Sequence, residues 1–245
     1  MALAITAWPA AAAAGTSATK ELVAVMQGLR PAVAHVPMSI KHMNFKLLMP
    51  KMNFDTDMMH TGDLQVVPAT HVICDETAME DGQLDEKGLK NLHCLQQLAT
   101  FQHILFDFNY DWMKFPTDAP VLVMSQGRAK PLLKTDVVVQ LKPDAAAAAQ
   151  ACAQDESPEA QELCRVFMGL ARALDVGVSN EVEQMVPNTF VEARKANPKV
   201  QQEDLHCWMT LAKLLAASHG SDQVKKEHWE LAMRMEDERA RRLAV

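Results

Sequence analysis

The chain has 245 residues, of which 49% are hydrophobic and 22% charged, and its formal net charge is −7 at pH 7. Such a chain can bury the core of one large domain or of two small ones, which excludes a disordered protein and a disulfide-stapled miniprotein. Because the acidic surplus repels phosphate backbones, no direct binding of nucleic acid is expected.

The cysteine spacing and the N-terminal segment bear on the cell compartment. No two cysteines are separated by only two residues, so neither a zinc site nor a redox pair is predicted. Their scatter through apolar segments predicts buried, reduced thiols, at Cys74, Cys94, Cys152, Cys164 and Cys207. The apolar stretch 1–14 contains Pro9 and follows no basic residue, which argues against a signal peptide. No run reaches the roughly 18 apolar residues of a membrane span, so we expect a soluble intracellular protein without metal or cofactor.

Short β-type runs alternate with helical stretches in the first 143 residues. The patterns predict strands at 3–6, 36–48, 70–74, 104–110, 121–124 and 137–141, and helices at 19–29 and 84–102. The mixed stretch 36–48 is predicted as a strand with a polar edge, and 104–110 as a strand with one buried face. The continuous apolar runs at 121–124 and 137–141 are typical of buried parallel strands. This alternation predicts an α/β fold with a parallel sheet.

The remainder of the chain is almost entirely helical in pattern. Helices are predicted at 158–174, 180–196, 202–218 and 223–241. Ser157–Pro158 is a typical helix start, and Asn180 with Glu183 predicts a capping box. Gly220 is placed to end the third of these helices, and Pro187 is expected to kink or split the second.

These changes in pattern predict the domain organisation. Residues 1–143 form an α/β domain, and residues 144–157 form an Ala-rich linker. Residues 158–245 form an all-helical subdomain.

Two adjacent acids follow one predicted strand directly. The apolar run 72–74 ends at Asp75 and Glu76. A nucleoside triphosphatase needs this arrangement beside its phosphates, because the first carboxylate holds Mg²⁺ and the second orients the attacking water. The same pair of acids is also typical of a solvated turn. Whether the chain has the other parts of a phosphate site must therefore decide between a nucleotide site and such a turn.

A phosphate-binding loop of the form G-x-x-x-x-G-K-[ST] should follow the first strand. In that register the chain has Ala10, Gly15, Thr16 and Ser17. Gly15 and Ser17 fit the pattern, but Ala10 replaces the first glycine and Thr16 replaces the lysine. Because Thr16 cannot bring a positive charge to the β- and γ-phosphates, the pattern indicates a plain Ala-rich loop and no working phosphate site.

Several segments combine uncommon residues in a fixed order. They are ICDET at 73–77, GQLD at 82–85, FDFNY at 106–110, FP at 115–116, VLVMSQGR at 121–128, FVEARKANP at 190–198 and DLH at 204–206. In this order and at this spacing, they resemble the family of mini-chromosome maintenance (MCM) complex-binding proteins. The resemblance covers nearly the whole chain. Proteins of that family are longer, and this chain resembles their C-terminal part.

The resemblance implies a nuclear partner of the MCM replicative helicase. Such a protein acts in assembly, handling or unloading of MCM complexes, and the family is tied to DNA replication and sister-chromatid cohesion. It would be a non-enzymatic adaptor whose partners are MCM subunits.

The same segments are similar, more distantly, to the ATPase module of the MCM subunits, which implies an AAA+-like sheet followed by a helical lid. The stretch 132–136 lies where those subunits place an arginine finger, and it contains no Arg. Glu203 stands where they carry a phosphate-sensing Arg, and Ser125 where active proteins have Asn. The resemblance therefore implies a degenerate ATPase-like domain with the remnants Gly15, Ser17, Asp75, Glu76 and Ser125. The alternative is a nucleotide-dependent ATPase module whose missing cations come from a partner subunit.

The stretch 104–115 corresponds to a hairpin that carries Lys or Arg towards DNA in MCM subunits. Here it holds more acids than bases, which suits a protein groove better than DNA. We predict a partner interface at Tyr110, Trp112 and Phe115. Arg128 either reaches a neighbouring subunit or forms a surface salt bridge. Five methionines crowd one region, as an adaptable binding surface or as core: Met43, Met49, Met52, Met58 and Met59.

Overall fold

The structure, a computed structural model, describes residues 1–8, 18–126, 131–142 and 157–243. Contacts divide the chain into two compact units, Met1–Ala151 and Cys152–Val245. The predicted site residues Gly15, Ser17 and Arg128 lie outside the described residues, as does the predicted linker except for its last residue.

The first unit, here called the α/β unit, alternates strands and helices as predicted. Its elements in chain order are β1 (Ala2–Thr6), α1 (Ala18–Leu29), β2 (Val33–Pro37), α2 (Ile40–Phe45), β3 (Lys51–Asn53), β4 (Met58–His60), β5 (His71–Asp75), a 3₁₀ turn (Glu76–Ala78), α3 (Glu86–Phe101), β6 (His103–Asp107), β7 (Trp112–Pro116), β8 (Val121–Met124) and β9 (Val137–Gln140).

A five-stranded sheet forms the centre of this unit. Its strand order is β2-β5-β8-β1-β9, and every neighbouring pair is parallel. The predicted parallel sheet is thereby confirmed. β5 and β8 lie inside the sheet and are mostly buried, whereas the edge strand β9 is only half-buried. Because all five strands run the same way, their carboxyl ends meet at one edge of the sheet.

The predicted strand over 36–48 is wrong. β2 ends at Pro37, and Ser39 begins α2 by accepting a hydrogen bond from the His42 N–H at 3.2 Å. Serine at this position satisfies a backbone donor that would otherwise need a strand partner. A local cap therefore outweighed the mixed hydrophobic pattern.

Asn91 of α3 stabilises the non-strand conformation that follows. Its side-chain amide donates to the carbonyl oxygens of Met43 at 2.7 Å and Lys46 at 3.0 Å, and its carbonyl oxygen accepts from the Leu48 N–H at 3.4 Å. Asn91 is buried, and its bonds to Met43 and Leu48 satisfy backbone groups that are themselves buried. The segment is held by a side chain rather than by a ladder of strand bonds.

A second sheet, with the order β4-β3-β6-β7, was not predicted as such. β6 and β7 form an antiparallel hairpin, but β6 ends at Asp107 rather than at residue 110. Asn109 has φ 65°, a left-handed conformation that ends the strand, and its N–H donates to the Asp107 side chain at 2.8 Å. The expected single buried face is also wrong, since Ile104 and Leu105 are both buried.

The second unit, here called the helical unit, contains the four predicted helices. Its elements are α4 (Pro158–Ala173), β10 (Gly177–Val178), α5 (Asn180–Ala196), α6 (Gln202–Ser218), β11 (Gln223–Val224) and α7 (Lys226–Leu243). The expectation of an all-helical unit is wrong in one respect, because β10 and β11 pair in parallel. The small ladder ties the start of α5 to the start of α7.

The helix ends agree with the sequence at two places and differ at a third. Ser157 caps α4 by accepting from the Ala160 N–H at 3.2 Å, and Gly220 follows α6 with φ +66°. The capping box at Asn180 is wrong, because the helix begins there and Ser179 precedes it as the cap residue. Pro187 lies inside α5 and does not split it.

The core of the helical unit is built around two tryptophans. Trp208 of α6 and Trp229 of α7 are buried with Val182 of α5 and Val224 of β11. The apolar side of α6 therefore packs within its own unit. By contrast, α4 contributes no buried residue.

Two further sequence expectations concern cysteines and membrane spans. Cys74 and Cys94 are buried as predicted, but the expectation fails at Cys164, which is exposed on α4, and Cys207 is half-buried. Cys152 lies outside the described residues. Among the residues described, no α-helix combines the length and the apolar content needed to cross a membrane.

Candidate functional site

Three of the predicted site residues come together at the carboxyl edge of the central sheet. Asp75 is the last residue of β5, Glu76 follows it, and Ser125 follows β8. The Ser125 N–H donates to the carbonyl of Ile5 in β1 at 3.0 Å, which joins the ends of the two strands. The Ser125 side chain is hydrogen-bonded to the Glu76 carboxylate.

Asp75 is nearly buried, and both of its carboxylate oxygens have partners. Oδ1 accepts hydrogen bonds from the N–H of Thr77, at 3.0 Å, and from its hydroxyl. Oδ2 lies 3.5 Å from Nε2 of His35 on the neighbouring strand β2. Burial raises the pKa of Asp75, but the bonds from His35 and Thr77 outweigh it, and the pKa lies below its usual value.

Glu76 is buried and holds the loop before β9. Its Oε1 accepts from the Leu133 N–H at 3.0 Å, and further bonds come from the Leu132 N–H and the Ser125 hydroxyl. Burial raises the pKa of Glu76, and these three bonds only partly offset it. Burial raises the pKa of the Cys74 thiol to about 12, and the negative charge of Glu76 contributes to this rise.

The loop that Glu76 holds is the one compared above with an arginine-finger position. Leu133 is fully buried, and Asp136 accepts a hydrogen bond from the Ala2 N–H of β1 at 2.7 Å. Asp75 and Glu76 therefore stabilise the carboxyl edge of the sheet by hydrogen bonds within the fold. A site that holds Mg²⁺ instead leaves carboxylate oxygens for the ion.

Sequence patterns did not reveal the partners of these acids. His35 is 40 positions from Asp75, and Leu133 is 57 positions from Glu76. Thr19, at the start of α1, is also buried beside this corner, with its hydroxyl oxygen 3.5 Å from that of Thr77. The only local signal was Thr77, because a hydroxyl two positions after an aspartate is typical of a turn.

The predicted interface residues lie on the second sheet. Tyr110 is exposed in the turn between β6 and β7, and Phe115 is exposed on β7, where it packs on Phe106 with 4.5 Å between ring centroids. Trp112 lies on the other face, half-buried, with its ring 5.5 Å from that of His93 in α3. The structure therefore separates Trp112 from the exposed side chains.

Asp75→Asn is expected to lower the free energy of unfolding at pH 7 by about 1–2 kcal/mol, because a neutral amide accepts weaker hydrogen bonds than a carboxylate. Since the pKa of Asp75 in the folded protein lies below 3.8, folding favours the ionised form. The advantage of aspartate is thus complete above that value and is lost as the pH falls through the folded pKa. Urea unfolding at pH 7, 5 and 3 measures it, with the exposed Asp81→Asn as control. A difference that grows towards pH 3 contradicts this prediction.

The fold defines an α/β protein with a parallel central sheet, followed by a helical unit. The acids at the carboxyl edge of the sheet are hydrogen-bonded within the fold. A family model described as mini-chromosome maintenance replisome factor matches residues 1–243. The chain belongs to this family.

Curated relatives carry the name mini-chromosome maintenance complex-binding protein. The chain is 34% identical over 224 residues to the one from Danio rerio, a match that covers 89% of this chain and 35% of the relative. It is 33% identical over 232 residues to the Drosophila melanogaster protein, covering 92% and 38%. For the Arabidopsis thaliana protein the identity is 28% over 223 residues, covering 91% and 37%. The chain therefore spans little more than a third of the length of these relatives.

Proposed function

We propose that the chain is a non-enzymatic adaptor that binds MCM helicase subunits. The observation that carries this proposal is the match, over about nine-tenths of the chain, to relatives whose names state that they bind the MCM complex. In this proposal the chain acts in the nucleus, in assembly, handling or unloading of MCM complexes during DNA replication and sister-chromatid cohesion.

The α/β unit would serve as an inactive, AAA+-like docking domain. The parallel sheet, and the strand that ends at Asp75 with Glu76 directly after it, support the likeness. Phosphoryl transfer depends on positioning and on positive charge around the phosphates. The bonds of Asp75 to His35 and Thr77, and of Glu76 to Leu133, give both acids a structural use instead. Glu203, proposed to stand in place of a phosphate-sensing Arg, is exposed in the first turn of α6.

The proposed domain boundaries follow the sequence patterns. Residues 1–143 would form the docking domain, 144–157 a linker and 158–245 a lid-like helical subdomain. The separate core clusters of the α/β unit and the helical unit support this division.

The chain is expected to retain purified MCM subunits equally well with and without Mg-ATP. The test immobilises the full chain, adds the subunits one at a time, and measures retention by quantitative mass spectrometry. The control bait is an unrelated α/β protein of similar net charge. Calorimetric titration of the chain alone with Mg-ATP accompanies it. Retention of no subunit overturns the adaptor function, whereas micromolar binding of Mg-ATP together with nucleotide-dependent retention favours the alternative, an ATPase module completed by a partner subunit.

A further inference from the structure

Two hairpins of the second sheet project from the same end of it. β3 and β6 are neighbours and run in parallel, with Lys51 opposite Asp107. The turn 54–57 follows β3, and the turn 108–111 follows β6. Because parallel strands end on the same side, the two turns lie side by side at one end of the sheet.

These two turns expose large apolar and aromatic side chains. Phe54 in the first turn is 52% exposed. Tyr110 in the second turn is 99% exposed. Single exposed apolar residues need no explanation, but two aromatic side chains at adjacent turns begin a patch of the kind that marks interaction sites.

The exposed patch continues along one face of β7. Strand pairing places Met113 beside Phe106, and Phe115 beside Ile104, on the same face of the sheet. Leu105 and Trp112 lie on the opposite face, where Leu105 is buried and Trp112 packs on His93 of α3. Met113 and Phe115 therefore lie on the face turned away from α3, and both are exposed.

Acidic side chains surround this patch. Asp55 and Asp57 in the first turn and Asp111 in the second are all exposed. None of the three forms an ion pair within the described part of the chain. Lys51, at the base of the first hairpin, pairs with Asp107 and not with these three aspartates, and its Nζ lies 4.0 Å from Oδ2 of Asp107. The turns thus present negative charge, which repels phosphate and attracts Lys and Arg.

We propose that these two turns, with Met113 and Phe115, form one docking surface for a basic protein segment that carries apolar side chains. This hairpin surface rests on the proposed function, since the segment would belong to an MCM subunit. The apolar side chains of the segment pack on Phe54, Tyr110 and Phe115, and its Lys or Arg residues pair with the three aspartates. Aromatic anchors inside a charged rim are the arrangement found at the energetic centre of many interfaces.

The two chemical parts of the surface should affect different steps of binding. Exposed charges act over a distance and mainly set the association rate and its dependence on salt. Aromatic contacts form only in the docked complex and mainly set the dissociation rate. Charge reversal and aromatic truncation therefore have distinguishable kinetic effects.

The test measures binding of the full chain to immobilised, purified MCM subunits by biolayer interferometry at two salt concentrations. The first variant combines Asp55→Lys, Asp57→Lys and Asp111→Lys, and we expect it to slow association about tenfold and to lose the salt dependence. The second combines Phe54→Ser and Tyr110→Ser, and we expect dissociation about tenfold faster. Because all five positions are exposed, the variants should keep the fold, which circular dichroism melting checks.

Matched controls lie on exposed positions of the helical unit. Glu159→Lys, Glu162→Lys and Glu181→Lys change the net charge by the same amount as the first variant, and Leu163→Ser with Leu170→Ser removes exposed apolar surface from α4. Both controls are expected to bind as the unmodified chain does. Equal losses in the controls would show an effect of bulk charge or of general apolar surface and would overturn the proposal.

The outcomes also separate this inference from the proposed function. If the unmodified chain binds MCM subunits and both hairpin variants bind equally well, the hairpin surface is wrong and the adaptor function stands. If the unmodified chain binds no MCM subunit, the adaptor function is wrong and the inference is overturned with it. A duplex DNA probe is expected not to bind the unmodified chain. If DNA does bind, and either the aspartate reversals leave that binding unchanged or the aromatic variant abolishes it, the chosen partner chemistry is overturned.

Discussion

Glu76→Ala is expected to lower the free energy of unfolding by about 2–4 kcal/mol. The substitution leaves the N–H groups of Leu133 and Leu132 without their carboxylate acceptor, and Leu133 is fully buried. A buried donor without a partner retains the full cost of its desolvation. The measurement is urea unfolding followed by circular dichroism. Glu76→Gln, which retains one acceptor, should lose less than half as much.

The exposed Glu80→Ala is the matched control and should change stability by less than about 0.5 kcal/mol. Mg-ATP titrations of Glu76→Ala and of the unmodified chain should both show no binding at micromolar nucleotide. If Glu76→Ala retained full stability but abolished a nucleotide-binding signal of the unmodified chain, Glu76 would be a nucleotide-site residue rather than a structural one.

Trp229→Ala is expected to destabilise the helical unit by about 3–5 kcal/mol. Trp229 is only 1% exposed and packs in the cluster that contains Trp208 and Val182, so its truncation leaves a large cavity that small shifts cannot close. Hydrogen exchange followed by mass spectrometry should show faster exchange in α5, α6 and α7. The strands β5 and β8 of the α/β unit should exchange at their original rates.

The reciprocal variant is Leu95→Ala in α3, where Leu95 is buried in the core of the α/β unit. It should cost about 2–5 kcal/mol and accelerate exchange in that unit, with the helical unit unchanged. Together the two variants test the proposed division at the 144–157 linker. Equal acceleration in both units by either variant would contradict the two-domain organisation.

The candidate site was predictable only in part, because its acids are adjacent in sequence and their partners are not. An apolar run that ends in Asp75 and Glu76 marks a strand end, and the structure has β5 end at Asp75. The role of these acids depends on His35 and Leu133, which belong to other elements. Nothing local in the sequence indicates that a backbone N–H at position 133 will need an acceptor.

The hairpin surface shows the same division between local and non-local information. Alternation predicted a strand near 104–110, and the resemblance to MCM subunits implied a hairpin there, but neither indicated the second hairpin at 51–60 beside it. Trp112 and Phe115 lie three positions apart on one strand and so face opposite sides, but the pairing register decides which of them faces α3. The methionines divide accordingly, with Met43 and Met49 buried and Met58 exposed.

The sequence by itself determined the features that depend on neighbours within a few positions. The long helices follow from hydrophobic spacing, the start of α4 from Ser157 and Pro158, the end of α6 from Gly220, and the buried parallel strands from continuous apolar runs. Tertiary structure alone decided that Asn91 holds the segment 43–48 and that Asp75 and Glu76 bond into the fold. It also decided that two acidic turns lie side by side. These features join residues 40 to 60 positions apart, and such contacts are set by packing and strand register rather than by local preference.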